Sequence, residues 1–366
     1  MTYCIGLMSG TSMDGIDAVL ARFDAQGRPT VINHHSIELP EPLLSQLHTL
    51  CSPGSDEIDL MGRADRALGY RFAEAVKALL KTSGLEAEAI AAIGSHGQTV
   101  RHHPDGRHAF TLQLGCPNTL AIETGIDVIA DFRRKDIALG GQGAPLVPAF
   151  HHHLFASETP RLIVNVGGIA NLTFLDPNGP ILGYDTGPGN TLMDAWAREH
   201  FGQPYDRDGA IAASGSVDDA LLTRLLGHAY FAQPAPKSTG RELFNLNWLY
   251  SHLNSLDPLP HEDVMATLLA TTVLSIADCA QSLAPSGELY LCGGGAFNGE
   301  LARQLAQRLP SYRIDTTATL GLDPQLVESV AFAWLAWRHL QGLPGNLPAV
   351  TGASREAILG GRYPAA

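Results

Sequence analysis

The apolar positions fall into short runs broken by glycine-rich turns, with longer helical repeats between them. Tyr3 to Leu20 reads as a strand, a turn of small, hydroxylated and acidic residues from Ser9 to Gly15, and a second strand. Leu162 to Leu175 repeats that shape around Gly167-Gly168. Leu289 to Ala302 gives a strand, then Gly293-Gly294-Gly295, then a helix. Val31 to Leu39 is a further strand stopped by Pro40 and Pro42, and Ile90 to Ser95 and Ile126 to Ala130 are short buried strands. Leu60, Ala64, Leu68, Phe72, Val76 and Leu79 have helical spacing over Ile58 to Lys81, with Gly84 as the stop. Helices also fit Thr191 to His200, Val264 to Leu283 and Leu301 to Leu309. Asp323-Pro324 opens another that runs through Leu340, with Asp as N-cap and Pro at the first position. Ser95 to His103 reads as a polar loop at a strand end, and the tail from Gly342 is loop-rich. Strands alternating with helices make an α/β sheet, whose ligands gather at the carboxyl ends of the strands.

Each glycine-rich turn has a chemical reading and a plain one. Gly10 and Gly15 let backbone N–H groups approach a phosphate closely, and Thr11 and Ser12 add hydroxyls. The plain alternative is a β-hairpin, for which Asp14-Gly15 is a good turn dipeptide. Three such breaks at wide separation favour the phosphate reading: two hairpin turns grip a polyphosphate, and the triple glycine lets a flat base lie on bare backbone. Two halves that each open on such a hairpin imply an internal duplication with a cleft between. That arrangement resembles the actin, hexokinase and Hsp70 ATPase superfamily, a ribonuclease H-like fold in two copies. The expected division is residues 1–131 with about 325–366 as one domain, carrying the first hairpin and part of the substrate site. Residues 132–324 form the other, and Leu139 to Pro145 is a glycine-rich crossing.

Length and charge narrow the function. At 366 residues the chain is long for one core. A formal charge of −13 argues against nucleic acid, which a basic surface should hold. No apolar run is expected to span a membrane, and no basic leader precedes the first strand. Five scattered cysteines without a C-x-x-C suit reduced, space-filling thiols in the cytoplasm. An acidic protein that binds ATP must place positive charge locally or use a metal, and Mg²⁺ suits that role. There is neither a G-x-x-x-x-G-K-[ST] loop nor an H-R-D or D-F-G set.

Asp185, in Gly183-Tyr-Asp-Thr-Gly-Pro-Gly-Asn190, sits on a rigid loop next to the second hairpin and is a candidate general base. Its alternative is a turn or capping aspartate. Asp14 and Asp17 flank the first turn and are candidates for Mg²⁺ through water, with Asp14 equally suited to an Asx turn. Arg133 suits an anionic substrate group, against the plain reading of a solvated run with Arg134 and Lys135. Glu328 lies in the first turn of a helix, where negative charge is favourable in any case. Three consecutive histidines, His151 to His153, face different directions on a helix and suit no tetrahedral ion. His96 stands apart because of its strand-end loop, with hydrogen bonding as its expected work.

Gly6 to Asp17, Gly94 to Thr99, Ala130 to Arg133, Asn165 to Asn171, Asp185 to Asn190, Pro236 to Glu242 and Cys292 to Asn298 form a series of motifs that spans most of the chain. In these motifs and their order the chain resembles the anhydro-N-acetylmuramic acid kinases of bacterial cell-wall recycling. It implies ATP-dependent opening of 1,6-anhydro-N-acetylmuramic acid by water and phosphorylation of the 6-oxygen. It implies a nucleotide site of Ser9, Gly10, Thr11, Ser12, Met13, Asp14, Gly15, Ile16 and Asp17 with Gly167, Gly168, Asn171, Gly293, Gly294, Gly295 and Asn298. Asp185 would be the base and Glu328 an acid near the sugar. His96, Gln98, Thr99 and Arg133 would hold the sugar, and a homodimer is what the family suggests. The alternatives are an ordinary sugar kinase of the same superfamily and an ATP-driven switch of the actin or Hsp70 kind.

Overall fold

The computed structural model describes residues 1–10, 15–235, 237–240 and 242–366. The chain divides into two compact units, Met1–Phe150 with Leu326–Ala366, and His151–Gln325.

The first unit is built on a six-stranded sheet. β1 (Thr2–Met8) lies between β2 (Gly15–Phe23), antiparallel, and β4 (Ile90–Ser95), parallel. β3 (Pro29–Glu38) pairs antiparallel with β2, and along it half-buried and exposed residues alternate, as they do on an outer strand. β5 (Gln98–His103) and β6 (Phe110–Leu114) form a separate two-stranded ribbon. β7 (Val128–Ala130) continues the main sheet parallel to β4, and a last strand, Gly361–Tyr363, closes its edge. The helix Glu57–Ser83 buries Ala64, Leu68, Phe72, Val76 and Leu79 and stops at Gly84, whose left-handed φ of 68° ends it. The helix Val327–Leu340 packs on β1, β2 and β4. Gly6 and Gly94 sit opposite each other across β1 and β4. A Cβ on either would run into the carbonyls of Ser329 and Phe332, so the pair lets this helix lie directly on the sheet.

The second unit has a five-stranded sheet. β8 (Arg161–Val166), β9 (Ile169–Leu175) and β10 (Leu182–Pro188) form an antiparallel meander. β11 (Gly287–Cys292) and β12 (Tyr312–Thr316) add to β8 in parallel. Its core joins Leu162, Val164, Leu172 and Leu291 to Val264, Leu268, Leu301 and Leu305 from the helices His261–Leu283 and Gly299–Arg308. Counted along the chain, both units run third, second, first, fourth, fifth: β3-β2-β1-β4-β7 and β10-β9-β8-β11-β12. Two copies of that order make this the duplicated ribonuclease H-like fold of the actin, hexokinase and Hsp70 ATPases.

Five expectations change. The first unit extends to Phe150, past the expected boundary at 131, because buried Asp136 binds it to the late chain. The Asp136 carboxylate accepts from Asn346 Nδ2 (2.7 Å), Thr351 Oγ1 (2.8 Å) and the Gly143 N–H (2.8 Å). The supposed loop after Ser95 holds β5, since Gln98 to His103 finds a partner in β6, which the polar sequence did not announce. The late helix begins at Val327 and not at Asp323-Pro324. There Asp323 Oδ1 accepts from the Gln325 N–H (2.9 Å), and the Pro324 carbonyl accepts from the Gly293 N–H (2.9 Å). The helix His261–Leu283 does have the length and hydropathy of a membrane span, its few charges being diluted by a long apolar stretch. In this fold 78% of its most apolar window is buried. Cys4 and Cys292 are buried and Cys116 and Cys279 half-buried, whereas Cys51 is exposed and fills no interior space.

Candidate functional site

In the first unit the turn between β1 and β2 is bound to the loop after β4. Ser9 is buried, with its Oγ 2.7 Å from Gln98 Oε1 and 3.1 Å from the Gly15 carbonyl. The His96 N–H donates to the Leu7 carbonyl (3.0 Å), which holds that loop to the end of β1. Gly10 is half-buried, Ile16 is fully in the core, and Gly15 lies too close to the Ile37 carbonyl for a side chain. Thr11, Ser12, Met13 and Asp14 lie outside the described residues. Asp17 Oδ1 accepts from Ser36 Oγ at 2.5 Å. Thr99 Oγ1 accepts from Gln113 Nε2 at 3.1 Å.

Arg133 separates from its neighbours in the helix Phe132–Ala138: it turns inward, while Arg134 and Lys135 are exposed. Its Nε and Nη2 lie 3.2 and 2.8 Å from His96 Nε2, and its Nη1 donates to the Gly143 carbonyl (2.8 Å). Burial and the adjacent guanidinium push His96 well below the usual histidine range, so the ring is neutral and accepts at Nε2. Burial also lowers Arg133 to about 10, against the opposing pull of Glu328 and Asp136, and it stays charged at neutral pH. Glu328, in the first turn of Val327–Leu340, is thus an electrostatic neighbour of Arg133 within one unit. His151, by contrast, is a core residue bonded to Thr173 (2.9 Å) and lowered by burial to about 3.

In the second unit Asp185 lies inside β10 and not on the loop expected, because the chain there pairs with β9; the Gly167-Gly168 turn is bonded to Gly189–Thr191, just past the end of that strand. The Gly168 carbonyl accepts from the Gly189 and Thr191 N–H groups (2.9 and 3.0 Å), and Gly167 accepts from Asn190 (2.8 Å). Asp185 faces Asn171 across β10 and β9, and Asn171 faces Asn165 across β9 and β8. Opposite residues share a face, so the three polar side chains form one row. The Asp185 Oδ2 accepts from the Thr239 N–H at 3.0 Å. Burial raises this carboxyl to about 6, with the Thr239 amide lowering it and the Glu242 charge raising it.

The triple glycine divides its labour. Gly293 (φ 75°) and Gly295 press against Asn165 and Val166, whereas a Cβ on Gly294 would meet only Asn190 Nδ2 at 3.7 Å. Open backbone for a flat ligand is therefore offered at Gly294. Asn298 is an N-cap: its Oδ1 accepts from the Leu301 N–H (3.0 Å) at the start of Gly299–Arg308. Among the described residues no group of three or more His, Cys, Asp or Glu could hold a metal ion. The residues that brace Asp185 from a distance, Tyr230, Lys237 and Thr239, were not singled out by the sequence reading. They lie 45 to 54 positions away, and only the motif Pro236 to Glu242 marked one of the two stretches.

The family model described as anhydro-N-acetylmuramic acid kinase matches residues 2–365. The chain belongs to the anhydro-N-acetylmuramic acid kinase family. It is 60% identical over 365 residues to the protein of that name from Shewanella pealeana, covering 99% of each chain. The kinase of that name from Shewanella halifaxensis is 59% identical over 366 residues, covering 100% of this chain and 99% of its own. The solved activator of the 2-hydroxyisocaproyl-CoA dehydratase from Clostridium difficile, with bound ADPNP, overlaps 93% of this chain and 96% of its own at 15% identity. Its TM-score is 0.48, too loose to add to the strand order. Membership of the kinase family makes the chain a phosphotransferase.

Proposed function

We propose that this enzyme opens 1,6-anhydro-N-acetylmuramic acid with water and phosphorylates O6 from ATP, giving N-acetylmuramic acid 6-phosphate and ADP in peptidoglycan recycling. The observation that carries the reading is the Asp185 carboxylate, fixed at Oδ2 within β10, next to the break in register between Asp185 and Gly187, and raised to about 6. Such a group is ionised at neutral pH yet basic enough to take a proton from water. In the anhydro sugar the 6-oxygen is locked in the ring and has no proton to lose. The water oxygen bonds to the anomeric carbon while Asp185 takes its proton. The C1–O6 bond breaks, and the freed O6 receives the γ-phosphoryl group in line. Glu328 acts as an acid near the sugar. Arg133, held by His96, supplies the cation for the lactyl carboxylate, and Gln98 and Thr99 position the ring.

The nucleotide falls to Ser9 to Asp17, to Gly167, Gly168 and Asn171, and to the Gly293–Gly295 turn with Asn298 behind it. Open backbone at Gly294 and the carboxylate of Asp17 fit an adenosine face and a hydrated Mg²⁺ that the phosphates hold in large part. When bound, Mg²⁺ neutralises charge that spreads over the phosphoryl oxygens. The same reading makes the enzyme cytoplasmic, in keeping with five scattered cysteines that form no C-x-x-C, and a homodimer.

The test is mass spectrometry of the sugar after incubation with ATP, Mg²⁺ and ¹⁸O-labelled water. One label at the anomeric position of a phosphorylated product is expected, and Asp185→Asn should abolish ring opening and phosphorylation together, by about 10³-fold or more. An Asp185→Asn enzyme that still turns over near the normal rate removes Asp185 as the base.

A further inference from the structure

Asp185 is gripped at three points by chain that is remote from it in sequence. Its N–H donates to the Lys237 carbonyl (3.1 Å), its carbonyl accepts from Tyr230 Oη (2.7 Å), and its Oδ2 accepts from the Thr239 N–H (3.0 Å). Tyr230 and Lys237 are themselves joined. Lys237 Nζ donates to the carbonyls of Tyr230 and Phe231, both at 3.2 Å, and lies 4.7 Å from the centroid of the Tyr230 ring. The ammonium thus ties the segment to the short helix Ala229–Ala232. Tyr230 is almost fully buried, packed against Phe231 and Phe244. A lone ladder bond would fix only the backbone of an aspartate within a strand. Here the main chain is held on both sides and the side chain at one oxygen.

We propose that Lys237–Thr239, locked by Tyr230, is a positioning strap for Asp185: it fixes Oδ2 and the backbone so that Oδ1 is presented to the attacking water. The proposal rests on Asp185 being the base. A general base must sit within hydrogen-bond reach of its proton, and an error of about 1 Å costs on the order of 10²-fold in rate. The strap also sets the charge around the carboxyl. The Thr239 amide favours the ionised form, whereas Glu242 disfavours it. Among the described residues Tyr230, with Tyr184 and Cys279 beyond it, completes the titratable groups on this side, and Lys237 is the one cation in that set.

Tyr230→Phe and Lys237→Met test the strap in the full-length enzyme, with Lys237→Arg as the rescue and Asp185→Asn to identify the Asp185 signal. Two readouts are needed: a ¹³C-carboxyl titration of aspartate-labelled protein, and the pH profile of sugar phosphorylation. Loosening the strap withdraws the Thr239 N–H, so the Asp185 midpoint and the acid limb of kcat should both move up by about half to one pH unit. Turnover at the optimum should fall about 10- to 100-fold with little change in KM. Lys237→Arg, which keeps donors and charge, should restore most of both. Midpoints unmoved in Tyr230→Phe and Lys237→Met overturn the strap. Tyr230→Phe removes a single hydroxyl, so a folded variant remains even if Lys237→Met is unstable. The titration needs no turnover, so it judges the strap even where an active Asp185→Asn enzyme has refuted Asp185 as the base.

Discussion

Asp185 is held in a state that the fold pays for. Its carboxyl stands at about 6 in the native protein against an ordinary 3.8, because burial disfavours the charge. A native pKa above the unfolded one means a stability contribution that is present in full below about pH 4. It is lost as pH rises through about 6. At pH 8 the charge is therefore a net burden of about 1–3 kcal/mol, taken low because the side chain is partly exposed. Asp185→Asn should raise the urea midpoint of the second unit at pH 8 and lose most of that gain by pH 4.5. An equal gain at both pH values would show that charge is not the cause. The aspartate itself was legible from its Gly/Pro-rich loop. Its partners were not, since Tyr230 Oη and the Thr239 N–H reach it across 45 and 54 residues. Arg133 shows the same limit: the sequence leaves a solvated run with Arg134 and Lys135 open beside its reading as a substrate-binding cation, and only the turn of the helix points it at His96.

Among the elements, the glycine-bounded hairpins and the helix with Leu68, Phe72 and Val76 on one face could be read directly, because period and turn chemistry are local properties. β5 and β6 could not, since β5 is largely polar, β6 has only five residues, and each finds its pairing only in the other. The short helices between Ala210 and Leu253 also went unread, being too brief to show a period. Glycines make the contrast testable. Gly6→Ala and Gly94→Ala would each push a methyl into helix backbone and should cost about 1–3 kcal/mol or more. By displacing the helix that carries Glu328, they should also lower turnover. Gly62→Ala, in the interior of Glu57–Ser83 with open space around it, should stabilise by about 0.5–1 kcal/mol. Chemical denaturation of the three variants decides the matter: equal effects at all three positions would contradict the close packing of helix on sheet.

At the scale of the whole molecule, duplication was visible as two hairpins with glycine turns, and the strand orders bear it out. The boundary at Phe150 was not visible, because a buried carboxylate bonded to Asn346 and Thr351 leaves no mark in the local pattern. The unit formed by Met1–Phe150 and Leu326–Ala366 is therefore interrupted, whereas His151–Gln325 is continuous. On a translating ribosome that difference sets an order of birth. Gly6 and Gly94 emerge early but wait for Ser329 and Phe332, which are made only after the whole second unit. The second unit should thus reach its native state before the first, the reverse of the usual N-terminal-first sequence. Arrested nascent chains that expose residues up to Gln325 should resist protease across His151–Gln325 and be cut within Met1–Phe150. Protection of both segments at that length would mean that the sheet of the first unit closes without its helix. Until that helix arrives, the apolar β1 and β4 are a hazard for the growing chain, and a chaperone that shields them would act over most of the time of synthesis.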